Sequence, residues 1–543
     1  MSTLKRFGIV AAPLVLSLLA GLIGPLFARS AQHAVAKPVA SGPPASVDSN
    51  QCKKCHAEEV AGFARSKMAH SMRLGGQEPD GVLTAPGTTI TMQSDKEGSW
   101  QTLSSHGTTT SYHVDYVIGS GTHASGYVMD LGDHLFQSPV AYYLSRSAYG
   151  LAPGYEGKPD PDFTRPIATG CVFCHAGSFD AVEGSQNRYA AVPFPHLAIS
   201  CNRCHGALAA HLARPDSHNI VNPADLEPAA RDSVCEQCHL IGVARILNPG
   251  KKFTDFTAGK PLEETFTIYH NESPTGAEAA FKVISHSEQL ALSKCARSSG
   301  GKMWCGTCHN PHNEPTEPVS YYRQRCMLCH SKTNFASDHP DKTSNCIGCH
   351  MTKREAGDGG HSAFTDHRIH RRPQQTAAEE GPETVPDIVP WRQPPVQFAT
   401  RNLGMALTEY GLAHRSAKQI LSGYRTLTTV QQQFPQDSEL YNMLGTALIA
   451  GQQYGEAVQA FALAVRYDPT SSPKEASLGQ AYLAAGQEEL GEQHLERAME
   501  FDPLNLSAAA LLINAYDKAG NPSKSDQLSQ KISKLVQPKA SHK

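Results

Sequence analysis

Residues 305–312 read Cys-Gly-Thr-Cys-His-Asn-Pro-His. Two thiols stand three positions apart, and an imidazole follows the second directly. In a helical turn, positions i, i+3 and i+4 share one face, so both thiols and the imidazole point the same way. The pattern Cys-x-x-Cys-His occurs seven times, at Cys52–His56, Cys171–His175, Cys201–His205, Cys235–His239, Cys305–His309, Cys326–His330 and Cys346–His350. Of the 15 cysteines only Cys295 lies outside it.

The chain has 543 residues and 26 His. A disulfide framework would account for the Cys but not for the His, and an excess of both points to metal or haem ligation. Cys-x-x-Cys-His is the c-type haem attachment signature. Two thiols must reach two vinyl groups of one porphyrin, and the next residue turns its imidazole to the iron. Zinc knuckles also use Cys-x-x-Cys, but they do not require His after every second Cys. Seven covalent haems c are therefore expected. The attaching thiols are Cys52, Cys55, Cys171, Cys174, Cys201, Cys204, Cys235, Cys238, Cys305, Cys308, Cys326, Cys329, Cys346 and Cys349. The proximal ligands are His56, His175, His205, His239, His309, His330 and His350.

Haems that only transfer electrons commonly carry a second axial His. The candidates are His70, His123, His211, His286, His312, His361 and His367. His312 lies too close to His309 to reach the iron that His309 binds. It is expected on another haem, most simply the one at Cys326–His330 or Cys346–His350. His106, His113, His134, His196, His218, His270, His339 and His370 are reserves. His33, His414, His494 and His542 read as ordinary side chains.

Lys+Arg number 48 and Asp+Glu 51, a balance that argues against nucleic acid as the main partner. A hydrophobic fraction of 40% excludes a polytopic membrane protein. Residues 1–30 carry Lys5 and Arg6, then an uncharged run and Ala28-Arg29-Ser30. They read as a secretory signal peptide, with an N-terminal anchor as the competing reading. Residues 31–50 are an Ala/Pro/Ser-rich tether, 51–370 the haem domain and 371–400 a Pro-rich linker. The first cysteines of successive motifs are 119, 30, 34, 70, 21 and 20 residues apart. This spacing predicts one haem cluster at 171, 201 and 235 and another at 305, 326 and 346. Short β-rich runs in 83–137, such as TTITM (88–92) and TSYHVDYVI (110–118), predict a small antiparallel meander.

Beyond residue 404 a period of 34 appears, marked by Pro435, Pro469 and Pro503. Tyr441, Leu444, Gly445, Leu448, Ala457, Phe461, Ala464 and Pro469 fall at tetratricopeptide signature positions. The next copy repeats them at Leu478, Gly479, Tyr482, Gly491, Leu495, Ala498 and Pro503. Four repeats are expected across 404–537, at 404–437, 438–471, 472–505 and a degenerate 506–539. The expected fold is a multihaem cytochrome domain with short helices, many loops and a small β meander, followed by an all-α TPR solenoid.

The stretches CKKCHAEE (52–59), SKMAHSM (66–72), DYVIGSGTH (115–123), RPIATGCVFCH (165–175), ISCNRCHGALAAH (199–211), CGTCHNPH (305–312) and HSAFTDHRI (361–369) carry a resemblance. The chain resembles exported bacterial multihaem c-type cytochromes with a tetratricopeptide tail. Its haem part is similar to the cytochrome c-554/c-prime group and to doubled Cys-x-x-Cys-His modules. The type members carry four haems, and no Cys-x-x-Cys-Lys is present here. The resemblance implies electron transfer in the periplasm or at the cell surface, with other cytochromes docking on the haem domain or the TPR face. It implies no nucleic acid, and a membrane only through the N-terminal anchor. A second reading is a multihaem oxidoreductase whose one open iron acts on a small nitrogen or sulfur compound.

Overall fold

The computed structural model describes residues 49–536 except 106, 156–160, 273–284, 331–344, 357–361 and 371–385. The N-terminal signal and tether therefore lie outside the described residues. No described helix is long and apolar enough to cross a membrane. The chain divides into two compact units, of which one includes Asn187–Ala406 and the other Leu407–Leu535.

In the unit that holds the Cys-x-x-Cys-His motifs, the β-rich stretch forms two sheets rather than one meander. Gly81–Ala85, Thr88–Asp95, Gly98–Ser105 and Thr108–His113 pair in sequence order as a four-stranded antiparallel sheet. Met72–Leu74, Tyr116–Ile118, Ala124–Asp130, Leu135–Tyr143 and Arg165–Pro166 make the second sheet, with Ala148–Leu151 paired to Leu135–Tyr143. The run TSYHVDYVI thus breaks in the middle. Val114 is fully buried there, and the Asp115 carboxylate accepts the Asp130 N–H at 2.7 Å. Gly75 passes so close to the Val114 carbonyl that a Cβ would not fit. The core of this unit gathers Val128, Leu135, Val172, Phe173, Leu262, Phe266 and Ile268.

Of the expected linker, residues 386–400 are described. Ile388–Pro390 pairs antiparallel with Phe266–Asn271. Arg392 then reaches Glu236 at 2.5 Å and Glu263 at 3.2 Å, both buried. The next helix, Val396–Ala413, starts before residue 404. Its Arg401 donates to the Leu247 carbonyl, and its Asn402 bonds Asn248 and Thr267. A Pro-rich composition marked a linker, but β pairing and ionic contacts hold its second half.

The other unit continues as helices Ala417–Val430, Ser438–Ala450, Tyr454–Tyr467, Ser472–Ala484, Glu488–Phe501, Leu506–Lys518 and Pro522–Leu535. Ser416, Asp437 and Asn505 cap three of them by accepting backbone N–H groups. Small residues let paired helices approach: a Cβ on Gly445 would stand 2.7 Å from the Phe461 ring, and one on Gly479 2.8 Å from Leu495. Leu495, Ala498, Met499, Ala508 and Leu512 fill the space between successive pairs.

Candidate functional site

Each motif closes as one helical turn. The N–H groups of His56, His205 and His309 donate to the carbonyls of Cys52, Cys201 and Cys305, each at 2.9 Å. The turns belong to short helices such as Thr169–His175 and Cys346–His350, or to the ends of longer ones, Pro228–His239 and Pro318–His330. Both thiols and the imidazole of a motif therefore leave one face of the turn.

Imidazoles from distant parts of the chain meet, in two pairs and one row of four. His205 and His312 lie parallel within 7°, with Nε2 atoms 3.5 Å apart. His56 and His211 stack with ring centres 6.3 Å apart. His239, His286, His367 and His309 form a row, with successive ring centres 5.2, 4.8 and 6.2 Å apart. Two imidazoles facing through Nε2 can take one metal ion between them, since two bonds of about 2 Å span about 4 Å. Among the described residues no group of three or more His, Cys, Asp or Glu forms a metal cluster. The neighbour of His312 is thus His205, not His330 or His350, because the chain between the motifs folds back on the third one.

The electrostatics suit ligation. Burial holds His175 and His239 below the usual imidazole range. Burial, with neighbouring imidazoles, pushes His286 down to about 3 and His367 down to about 4. A neutral imidazole keeps the lone pair that a metal needs. The far nitrogen is anchored repeatedly. Nδ1 of His205 lies 2.8 Å from the Val221 carbonyl, of His211 3.0 Å from Asp216, of His367 3.0 Å from Thr365 and of His350 2.6 Å from His370. A carbonyl at Nδ1 fixes the tautomer that leaves Nε2 for a metal.

Both expected groups of motifs form: Arg203 of the third motif donates to the Phe173 carbonyl of the second and its own carbonyl accepts from Gln237 of the fourth, while the helices of the fifth, sixth and seventh motifs adjoin in series. The sulfur of Cys52 lies close to that of Cys201, Cys174 to Cys238, Cys235 to Cys305 and Cys326 to Cys346. The first motif therefore adjoins the third, and the fifth adjoins the fourth across a 70-residue interval. Short intervals kept neighbouring motifs together, whereas interval length did not foresee the approach of the first motif to the third or of the fourth to the fifth. Arg203 and Arg245 converge on the second motif: Arg203 donates to the Phe173 carbonyl at 2.7 Å, and Arg245 approaches the Cys174 sulfur at 3.8 Å. The Nε atoms of both are buried without a hydrogen-bond partner.

His70 bonds the Ser66 carbonyl through Nδ1, and its neighbour Ser71 donates to the His175 carbonyl. His123 packs on Phe364 at 4.4 Å, on the hairpin that follows the seventh motif. His361 lies outside the described residues, as do the reserves His106 and His339. His113 and His218 bond Asp115 and Asp216, and His134 pairs with Asp133. His270 packs on Trp391, and the His196 carbonyl accepts from Gly177. His370 bonds Asp366. Sequence reasoning missed Val221, Asp366 and the two arginines. Only Arg203 carried a signal, its place inside Cys-Asn-Arg-Cys-His.

A family profile for the tetratricopeptide repeat matches residues 438–471. The C-terminal array carries tetratricopeptide repeats. The matched span coincides with the second repeat read from the sequence. No curated protein matches the chain. Among solved structures, "MamA MSR-1 C2" is 17% identical with a TM-score of 0.23, over 26% of this chain and 76% of that one. MamA from Desulfovibrio magneticus RS-1 is 19% identical with a TM-score of 0.23, over 25% of this chain and 83% of that one.

Proposed function

We propose that this protein is an exported electron-transfer protein with seven covalently bound c-type haems, one at each Cys-x-x-Cys-His motif. The observation that carries the reading is the facing pair His205–His312, parallel within 7° and 3.5 Å apart at Nε2. Three further contacts of a motif His with a distant imidazole accompany it, at ring-plane angles of 29°, 86° and 34°. In each, one His follows two thiols and the other comes from outside the seven motifs. That is what a six-coordinate haem c requires of a chain. The orphaned Nε atoms of the half-buried Arg203 and Arg245 also suit a porphyrin, whose carboxylates would supply an anion to each.

A bound haem iron supplies one-electron chemistry. The chain's own residues do the rest. The thiols hold the group permanently. The imidazoles that meet would supply ligands to such an iron from two parts of the chain and so favour transfer over substrate binding. The carbonyls at Nδ1 hold the rings in place while the charge changes. The tetratricopeptide array offers a surface for a partner protein, which we take to be another redox protein. Intact-protein mass spectrometry of the exported protein tests the reading: seven haem increments are expected, and a mass without them refutes it.

A further inference from the structure

We propose that Asp366 is a positioning residue for His350, acting through the backbone carbonyl of His370. The inference rests on the reading that the seventh motif carries a haem. His350 and His370 clamp each other twice. The His350 ring meets the His370 carbonyl through Nδ1 at 2.6 Å, and the His370 N–H donates to the His350 carbonyl at 2.9 Å. The orientation of that one carbonyl therefore decides where the His350 ring points.

Asp366 fixes the turn that presents it. Its side chain is fully buried, and a buried carboxylate persists only when its oxygens are satisfied. Arg368 supplies Nε at 3.1 and 3.0 Å to the two oxygens, Nη2 at 2.7 Å and its backbone N–H at 2.9 Å. The His370 ring adds Nε2 at 3.1 Å. Arg354 stands 3.6 Å away on the strand Lys353–Glu355, which follows the seventh motif. The Asp366 N–H donates to the Thr352 carbonyl at 3.1 Å and ties the turn to the same segment.

The turn is held against a local preference. Ile369, between Arg368 and His370, has a φ of +52°. A β-branched residue adopts the left-handed region only where its surroundings enforce it, at roughly 1–3 kcal/mol. The ion cluster on either side of Ile369 supplies that enforcement and turns the His370 carbonyl toward His350. An acceptor fixed at Nδ1 makes the imidazole a more basic ligand, which stabilises the ferric over the ferrous state.

The test is Asp366→Asn in the full-length holoprotein, read by haem count, potentiometric titration and low-temperature EPR. The expected result has four parts: an unchanged haem count, one midpoint moved to higher potential, one low-spin signal changed in g-values, and both moved back toward wild type in Asp366→Glu. An unchanged titration and spectrum overturn the proposal. So does a shifted potential without a changed EPR signal, since charge alone would then be acting. His370→Asn keeps the carbonyl and removes only the ring's bond to Asp366. It covers the case in which Asp366→Asn does not fold: a smaller shift of one haem in the same direction supports the proposal, and no shift overturns it. A wild-type protein without haem at the seventh motif fails the underlying reading instead, and the mass spectrum distinguishes that failure.

Discussion

His312 is bound to the third motif by geometry and to the fifth by sequence. It follows His309 by three residues, yet its ring lies over His205. Its replacement therefore acts at a distance along the chain. His312→Ala should leave all seven haems attached, because no thiol is touched. It should convert one low-spin iron, the one at Cys201–His205, to high spin in the EPR spectrum. A wholly low-spin spectrum would remove His312 from the ligand set. Arg392 is the other residue on which much depends. It stands between the buried Glu236 and Glu263, and Glu236 also accepts the Trp391 indole N–H at 3.0 Å. Burial pushes the Glu236 carboxyl above its usual range, and Arg392 opposes that rise. Arg392→Ala leaves two buried carboxylates without their cation and should cost about 3–5 kcal/mol, measured as a lower midpoint in denaturant.

At the scale of elements, the repeat helices depend on missing side chains as much as on present ones. Gly445 sits where a Cβ would meet three Phe461 ring atoms at 2.7 to 2.8 Å. Gly445→Leu gains about 1 kcal/mol of helix propensity. It should lose more, because overpacking a filled core costs roughly 1–3 kcal/mol and a leucine lies at the upper end. The net result is a lower melting temperature of the helical circular dichroism signal, with haem absorbance unchanged. An unchanged or raised melting temperature would mean that Phe461 moves aside freely. The motif helices follow a different logic. Several are a single turn, such as Cys305–Cys308, too short to persist by propensity. Covalent attachment to a rigid group would supply what the hydrogen bonds of one turn cannot.

At the scale of the molecule, the boundary between the two units lies inside a helix rather than in the Pro-rich stretch. Ile388–Pro390, Arg392, Arg401 and Asn402 all make their contacts within the motif-bearing unit. Two truncations separate these views. A chain ending at Ala406 should keep its seven haem increments and its thermal midpoint. A chain ending at residue 385 should lose stability, because it uncovers the edge of Phe266–Asn271 and leaves Glu236 and Glu263 unpaired. Equal melting of the two would return residues 386–406 to the role of a linker. For the same reason, a repeat fragment begun at 396 carries Arg401 and Asn402 without the backbone and side chains that satisfy them.

The sequence by itself determined the local chemistry. A motif of five residues contains its own geometry, since one helical turn sets all three side chains. A period of 34 contains the repeat fold, since each helix pair packs only on its neighbours. It also marked the β-rich stretch, but not the corner at Val114 that divides it, which depends on burial of that residue. Only the tertiary structure decided which distant His faces which motif, as His312 facing His205 and His211 facing His56 illustrate. Spacing bounds the reach of a loop, so it foresaw which neighbouring motifs adjoin, but it carries no direction and could not show that the first motif also meets the segment after the third. The Asp366 turn was illegible for the same reason: its partners, Arg368, His370 and Thr352, acquire meaning only once the chain folds back on the seventh motif.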